Sequence, residues 1–361
     1  MKSFYTERRI SAVDAKFEAN KIAFAPVVFQ ATKVMRDLGI LDLIFDNQTE
    51  GISLEEIAKT TDITLYGTRV LLEMGLSADI VKLSEEENYK LTKTGYFLLK
   101  DEMTRINMDF VQDVCYEGLF HLEEAIKKTK PSGLKVFGKW KTVYEALAHL
   151  PEKVTKSWFA FDHFYSDGAF PEALPIVFKN KPKRLLDVGG NTGKFSMQCA
   201  RYDEDVQLTI LDLPGQWEKA KGNIEAQGLA NRITGHPIDL LSANPIFPKG
   251  AGAIWMSQFL DCFSEEEIVH ILTAASNGMN DDTELFIMET YWDRQQFDAA
   301  TYCLHGISLY FTAIANGNSR MYHADTMKEC CEKAGLQVVE EIDHVGQYHT
   351  IFRCKLTSSV K

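Results

Sequence analysis

The sequence lacks three features that would each point to a particular class of protein. None of its apolar runs approaches the roughly 18 residues that a membrane-spanning helix needs. Its seven cysteines form no CxxC pair and no Cys/His pattern, so we predict no metal site and expect reduced, mostly buried thiols in a cytoplasmic protein. The N-terminal residues are charged throughout and hold no apolar core of the length of a secretory signal. We therefore expect neither a membrane-bound nor an exported protein.

Positive charge is also scarce. The 361 residues include 39 Lys and Arg against 51 Asp and Glu, a formal net charge of −12. An anionic surface repels phosphate backbones at long range. We therefore expect a small molecule, and not a nucleic acid, as the ligand.

Residues 1–110 have the pattern of three helical segments, the last at residues 69–76, followed by a small hairpin. Apolar residues from Phe24 to Leu38 recur at steps of three and four, as on one face of a helix. Ser53 and Glu56 form a capping box, and residues 80–91 have the pattern of a hairpin. This arrangement is a winged helix, but residues 53–78 hold two basic and four acidic residues, whereas a DNA-recognition helix needs several cations. We interpret the segment as a dimerisation domain.

The rest of the chain predicts an α/β fold. Residues 111–180 are mostly helical by pattern and rich in aromatic rings, which we expect to pack mostly in the core, with one or two lining a pocket. From Pro182 onward apolar runs alternate with helical stretches, with a fourth strand over 253–260, which predicts a parallel doubly wound sheet. The last two runs are separated only by a turn and predict an antiparallel edge. The expected domains are 1–110, a helical linker or lid over 111–180, and a Rossmann-like domain over 181–361.

The most informative motif is Leu186-Asp-Val-Gly-Gly-Asn-Thr-Gly-Lys194, a strand that runs into a glycine turn and then a helix. Only three residues separate Gly189 from Gly193, one fewer than in a P-loop, and no frame supplies the GxGxxG of a dinucleotide site. Acids stand at the ends of three successive expected strands: Asp187, Asp212 and Asp239. Such acids can bind a cationic amine, two ribose hydroxyls and an adenine amino group. We therefore predict an S-adenosylmethionine site.

Leu186–Gly193 and Leu211-Asp-Leu-Pro214 resemble the small-molecule O-methyltransferases of the plant caffeic acid and acetylserotonin type and their bacterial antibiotic-tailoring relatives. Phe263–Glu267 and Asn318–Arg320 match further motifs of that family. The resemblance implies a class I methyltransferase fold and a homodimer formed through the winged domains. Asn191 stands where the family usually has a third glycine, and asparagine tolerates a left-handed backbone. The expected cofactor contacts are Ser166, Asp187, Gly189, Gly190, Gly193, Asp212, Leu213, Asp239, Leu240, Met256 (on adenine or in the core) and Ser257.

The family deprotonates its acceptor with a histidine after the fourth strand, and Asp261 stands at that position here. Moving a proton from a phenol (pKa about 10) to a free aspartate (pKa about 3.9) is uphill by about six units, or about 8 kcal/mol. Burial beside apolar neighbours would raise the pKa of Asp261. Glu289 and Ser319 stand where the family has its first and second supporting acids, and His163 is a candidate substitute base. The expected acceptor pocket consists of Phe161, Tyr165, Cys262 and Ser319.

These residues support three hypotheses for the function. The first is methyl transfer from S-adenosylmethionine to an oxygen of a small aromatic acceptor. The second keeps the cofactor but not the methylation, as in bacterial relatives that use it in other chemistry such as hydroxylation, and the missing histidine motivates it. The third is a ligand-binding regulator that uses the winged domain on DNA.

Overall fold

The structure is a computed structural model that describes residues 10–147 and 149–359. The chain divides after Gln112 into two compact units. Within the described residues, none of the helices combines the length and the hydropathy that a membrane-spanning segment requires.

The N-terminal unit consists of helices and one small hairpin. Its elements are α1 (Ala12–Ala23), α2 (Ala25–Asp37), α3 (Ile40–Asp46), α4 (Leu54–Thr61), α5 (Leu65–Ser77), β1 (Val81–Leu83), β2 (Tyr89–Leu91), α6 (Lys93–Lys100) and α7 (Glu102–Phe110). The Ser53 side chain accepts from the Glu56 N–H and the Glu56 carboxylate accepts from the Ser53 N–H, which confirms the predicted capping box. The strands β1 and β2 pair antiparallel, which confirms the predicted hairpin.

The first two helices leave apolar side chains in water. No residue of α1 is buried, and Val13 and Ile22 are 78% and 77% exposed. The expected buried face of α2 is only partly right. Met35 is fully buried, but three other positions of that face stay exposed: Phe24, Val27 and Leu38. Several exposed apolar side chains on two successive helices are typical of a surface that binds a protein partner.

The C-terminal unit packs helices against both faces of one sheet. Its first helices are α8 (Leu122–Lys128), α9 (Val143–Ala146), α10 (Glu152–Ser166) and α11 (Phe170–Val177). Its strands are β3 (Arg184–Val188), β4 (Gln207–Asp212), β5 (Ile233–Pro237), β6 (Ala253–Ser257), β7 (Glu284–Glu289), β8 (Leu336–Val345) and β9 (His349–Leu356). The helices among them are α12 (Lys194–Tyr202), α13 (Pro214–Ala226), α14 (Glu265–Gly278), α15 (Asp298–Tyr310) and α16 (Ala324–Lys333).

These strands form one seven-stranded sheet in the order β5-β4-β3-β6-β7-β9-β8. The strands from β5 to β7 are parallel, while β9 pairs antiparallel with β7 and β8, which confirms the predicted fold class and edge. The strand order reverses at β3, and ligands of such sheets bind at the carboxyl ends of the strands beside that reversal. One expected strand was too long. β6 ends at Ser257 because Gln258 adopts a left-handed φ of +44°, and Leu260–Cys262 form a 3-10 turn.

Candidate active site

The glycine turn follows β3 at the reversal of the strand order. Gly189 and Gly193 have φ angles of +70° and +79°, and Asn191 between them has a φ of +50°. The expectation that asparagine takes a left-handed conformation here is therefore confirmed. A Cβ at Gly189 would lie 2.3 Å from the Phe259 ring, so a side chain at this position would collide with the loop after β6.

Two of the three expected acids lie beside this turn. The Asp187 carboxylate, 2% exposed, accepts a 2.6 Å hydrogen bond from the Ser196 hydroxyl. The Asp212 carboxylate accepts the backbone N–H groups of Asn191 at 2.9 Å and Leu213 at 2.7 Å. Burial, and to a smaller extent the nearby charge of Asp212, raise the pKa of Asp187 to about 6. A cationic ligand would favour the ionised form of both acids.

A cleft opens over the turn and is lined by the turn itself and by residues of α10, α12 and β6. Two features of its wall indicate that a ligand completes it. The Ser257 hydroxyl oxygen is buried there without a hydrogen-bond partner, and Gln258 has the strained φ of +44°. An unsatisfied buried polar group or a strained backbone destabilises the folded protein by about 1–3 kcal/mol. Together with the buried acids, these features fit S-adenosylmethionine.

Some of the predicted cofactor contacts line this cleft, namely Ser166, Asp187, Gly189, Gly190 and Ser257. The sequence left two positions open for Met256, on adenine or in the core, and the structure places it in the core. It is fully buried because side chains alternate along β6, so that Trp255 and Ser257 face the cleft and Met256 faces the opposite core. Leu240 is buried in the same core.

The remaining predicted contacts lie outside the cleft wall. Gly193 and Asp212 belong to the adjacent turn and strand end, and Leu213 is 45% exposed. Asp239 lies two residues beyond the end of β5, where it is exposed and its carboxylate accepts the Leu241 N–H at 2.9 Å. The structure therefore brings Asp187 and Asp212 together at the glycine turn, whereas the Asp239 carboxylate makes a local hydrogen bond in the loop after β5.

Sequence analysis missed several polar residues of the cleft wall: Asp162, Asp167, Lys194 and Gln258. Asp162 accepts a 3.3 Å hydrogen bond from the Asn191 amide, and Lys194 donates to Asp167. The predicted His163 also lines the cleft, with its Nδ1 3.7 Å from the Asp167 carboxylate. The available signal was helical spacing, because residues 162, 163 and 166 lie on one side of α10 and Asp167 follows its last residue.

The expected base, Asp261, lies in the 3-10 turn Leu260–Cys262 and is 8% exposed. The side chain of Glu289, at the end of β7, binds backbone N–H groups at the start of this turn. Its Oε1 accepts the N–H groups of Phe259 at 3.1 Å and Leu260 at 2.9 Å. Glu289 therefore supports the segment of chain that carries Asp261.

Asp261 belongs to a group of buried carboxyls. Burial, and to a smaller extent the nearby charge of Asp162, raise its pKa to about 7. Burial and the charge of Asp261 also raise the pKa of Glu289, and burial raises the pKa of Asp162 to about 6. Neighbouring carboxyls do not ionise together easily. The pKa of Glu289 is therefore held well above its usual range, and Asp261 titrates near neutral pH.

Two tyrosines that sequence analysis did not assign lie near Cys262. The Cys262 thiol donates to the Asp261 carboxylate at 3.5 Å, and the Tyr144 hydroxyl is within hydrogen-bond reach of that thiol. The Tyr310 hydroxyl accepts a 2.8 Å hydrogen bond from the Trp158 indole. Burial raises the pKa of both tyrosines, so both stay neutral.

The aromatic rings of the helical segment do not pack mostly in the core, so that expectation is wrong. Phe170 is buried, whereas the others are half-buried: Trp140, Tyr144, Trp158, Phe159, Phe161, Phe164 and Tyr165. The predicted pocket residues Phe161 and Tyr165 contact each other, with 4.9 Å between ring centroids. The half-buried rings from Trp158 to Tyr165 lie on α10, the same helix that contributes Asp162 and His163 to the cleft wall.

Comparisons with known proteins identify two domains. A Dimerisation2-like domain matches residues 16–89 and an O-methyltransferase domain matches residues 171–337. L-tyrosine C(3)-methyltransferase of Streptomyces lavendulae is 24% identical over 331 residues, which cover 90% of this chain and 88% of that protein.

Two solved structures share the fold. Mitomycin 7-O-methyltransferase superposes with a TM-score of 0.70 at 18% identity, covering 95% of this chain and 98% of that one. An O-methyltransferase from neocarzinostatin biosynthesis, solved with S-adenosylmethionine and 2-hydroxy-5-methyl naphthoic acid, gives a TM-score of 0.63 at 18% identity, with 91% and 95% covered.

A mostly parallel sheet with a glycine turn at its reversal, and acids at the ends of β3 and β4, defines the class I S-adenosylmethionine-dependent methyltransferases. Within that class, the two domain matches show that this chain belongs to the family of S-adenosylmethionine-dependent small-molecule O-methyltransferases. The predicted family, enzyme class and cofactor are thereby confirmed.

Proposed function

We propose that the protein methylates a hydroxyl group of a small aromatic acceptor and that Asp261 takes the proton of that hydroxyl. The observation that carries the proposal is the buried Asp261 carboxylate in a turn held by Glu289. The names of the relatives support the acceptor class, since one methylates tyrosine and another binds a naphthoic acid. Cys262, Ser319 and the rings of Phe161 and Tyr165 would line the acceptor pocket.

Burial makes this aspartate a usable base. With a pKa of about 7, taking the proton of a phenol of pKa about 10 is uphill by about three units, or about 4 kcal/mol, which is half the cost for a free aspartate. A weak S–H hydrogen bond from Cys262 leaves most of the basicity of the carboxylate in place. Asp261 therefore supports methyl transfer over the second hypothesis, which rests on the missing histidine.

When bound, S-adenosylmethionine supplies a methyl group on a sulfonium, which is a strong electrophile. We assign Asp187 to its amine and Asp212 to its ribose hydroxyls, with the glycine turn approaching it through the backbone. Ser257 offers a hydroxyl that has no other partner. His163 lies on the cofactor side of the site, beside Asp167, and stays a candidate second base. Ser166, Gly193, Leu213, Asp239 and Leu240 remain the other assigned cofactor contacts.

The N-terminal unit supports a homodimer. Its matched family is named for dimerisation, and α1 and α2 leave apolar side chains exposed. We propose that a second copy of the chain covers this surface, as in most symmetric oligomers. The seven cysteines are free thiols, five of them buried, and this supports the cytoplasm as the compartment.

Incubation with S-adenosylmethionine and a panel of phenols tests the proposed function. The panel contains catechol, 4-nitrocatechol, L-tyrosine and a hydroxynaphthoic acid, and anisole is the control without a hydroxyl. We expect S-adenosylhomocysteine and a methylated product from at least one phenol and none from anisole, as measured by mass spectrometry. If the protein binds S-adenosylmethionine but methylates none of the phenols, the proposal is contradicted.

A ring carbon is the second candidate acceptor atom. The tyrosine methyltransferase that matches 90% of this chain is, by its name, a carbon methyltransferase. Removing the phenolic proton raises the electron density on the oxygen and on the ring carbons next to it, so one base at Asp261 serves either outcome. Proton NMR of the product separates them, because an O-methyl product keeps every ring proton and a C-methyl product loses one.

The pH dependence of turnover follows from Asp261. The carboxylate accepts a proton only when it is ionised, and burial raises its pKa to about 7. We expect kcat to fall about tenfold per pH unit below about 7 and to level off above it. Initial rates from pH 5.5 to 9 with saturating catechol measure this, and 4-nitrocatechol, which is more acidic, should give a flatter profile. A catechol profile that is flat across pH 7 would contradict Asp261 as the base.

A further inference from the structure

The loop after α15 reaches the turn that carries Asp261. α15 continues into a π-helical turn, Phe311–Ala315, a rare geometry that is frequent at functional sites. The next residue, Asn316, extends its amide to the 3-10 turn and donates to the carbonyl oxygen of Cys262 at 2.6 Å.

Asn316 uses both ends of its amide group. Besides the Cys262 carbonyl, its Nδ2 donates to the Ser319 hydroxyl at 2.7 Å. Its Oδ1 accepts the backbone N–H groups of Asn318 and Ser319, both at 3.1 Å. Ser319, which stands where the family has its second supporting acid, is 3% exposed. An amide–hydroxyl pair therefore occupies the region where the family has a carboxylate.

The loop that carries Asn316 is held firmly. The backbone N–H groups of Asn316 and Gly317 both donate to the Phe311 carbonyl, at 3.1 and 3.0 Å. Gly317 has a φ of +90°, and a Cβ there would lie 2.4 Å from the Lys130 backbone, so the chain packs tightly at this point. A rigid loop can position the group that it contacts.

We propose that Asn316 is a positioning residue for methyl transfer, which together with Glu289 holds both ends of the turn at 259–262 and so fixes Asp261. Glu289 binds the N–H groups at the start of this turn, and Asn316 binds the carbonyl at its end. The inference rests on the proposed function of Asp261 as the base. Displacing a catalytic group by about 1 Å can cost about 10²-fold in rate.

Asn316→Asp tests the inference. Aspartate has the shape of asparagine and still accepts from residues 318 and 319, but it cannot donate to the Cys262 carbonyl. We expect kcat with catechol to fall about 10–100-fold while the KM for S-adenosylmethionine stays within about twofold. Asn231→Asp is the control for the added charge, because Asn231 is exposed in the loop between α13 and β5, and its kcat should stay within about twofold of wild type.

The acidity of the acceptor separates positioning from a general structural defect. A more acidic hydroxyl needs less help from the base, so Asn316→Asp should lose less activity with 4-nitrocatechol than with catechol. A folding defect would lower both rates equally. Asn316→Ala, which adds no charge, should show the same dependence on the acceptor.

Asp261→Asn, assayed in parallel, distinguishes the two possible failures. Activity retained by Asp261→Asn would show that the proposed base is wrong. Activity lost by Asp261→Asn but retained on both acceptors by Asn316→Asp and Asn316→Ala would overturn the positioning role alone. Equal losses on the two acceptors would overturn it as well.

Discussion

Replacement of Asp261 by asparagine should lower kcat by about 10²–10⁴-fold, the usual contribution of a general base. Asparagine has the same shape and can stay in the 3-10 turn, but it cannot take a proton from the acceptor. The KM for S-adenosylmethionine should change little, because Asp261 does not belong to the wall of the cofactor cleft. Initial rates with the best phenol of the panel measure both constants.

A measurement of the stability of Asp261→Asn shows whether a loss of activity comes from misfolding. Burial raises the folded-state pKa of Asp261 to about 7, above the value of about 3.9 for an unfolded chain. The unfolded chain therefore loses this proton first as the pH rises, so the penalty for folding grows between about pH 4 and pH 7 and is complete above it. Asparagine removes that penalty. The variant should melt no lower than wild type at pH 8, and a lower melting temperature together with lost activity would point to misfolding instead of a lost base.

Gly189→Ala should weaken cofactor binding by at least about tenfold. The φ of +70° is unfavourable for alanine, at a cost of about 1–2 kcal/mol, and the new Cβ would lie 2.3 Å from the Phe259 ring. The turn or the loop after β6 must therefore move, and the cleft wall contains residues of both. Calorimetric titration with S-adenosylhomocysteine measures the affinity.

Gly215→Ala is the matched control for this substitution. Gly215 lies in the first turn of α13, where a Cβ meets nothing within 4 Å and the φ is not left-handed. The affinity of the Gly215→Ala variant for S-adenosylhomocysteine should stay within about twofold of wild type. Adding Phe259→Ala to Gly189→Ala should recover part of the affinity, because it removes the collision but not the backbone strain. Wild-type affinity in Gly189→Ala would contradict the close packing of this turn.

Local patterns predicted the elements well where one principle dominated. The capping box at Ser53, the left-handed Asn191 and the antiparallel edge of the sheet follow from hydrogen bonding and backbone preferences within a few residues. The prediction of buried residues from the spacing of apolar residues failed in α2. Phe24 and Val27 have the spacing of a buried helix face but are exposed, since the spacing of apolar residues does not say what covers them.

The candidate site was predictable only in part. Asp187 and Asp261 were recognised because each stands in or beside a motif that is contiguous in the chain. Asp162, Tyr144 and Asn316 were missed because they come from three separate segments that only the folded chain brings to the cleft and to the turn at 259–262. No spacing along the chain encodes such a contact.

The linear order of residues was sufficient for the fold class, the cofactor and the family, because strands, glycine turns and strand-end acids are local features with a known chemical use. Whether an aspartate can replace the family histidine depended on the folded protein. A carboxyl in water has a pKa of about 3.9 wherever it stands in a chain, and only the exclusion of water around Asp261, with Asp162 close by, raises its pKa to about 7.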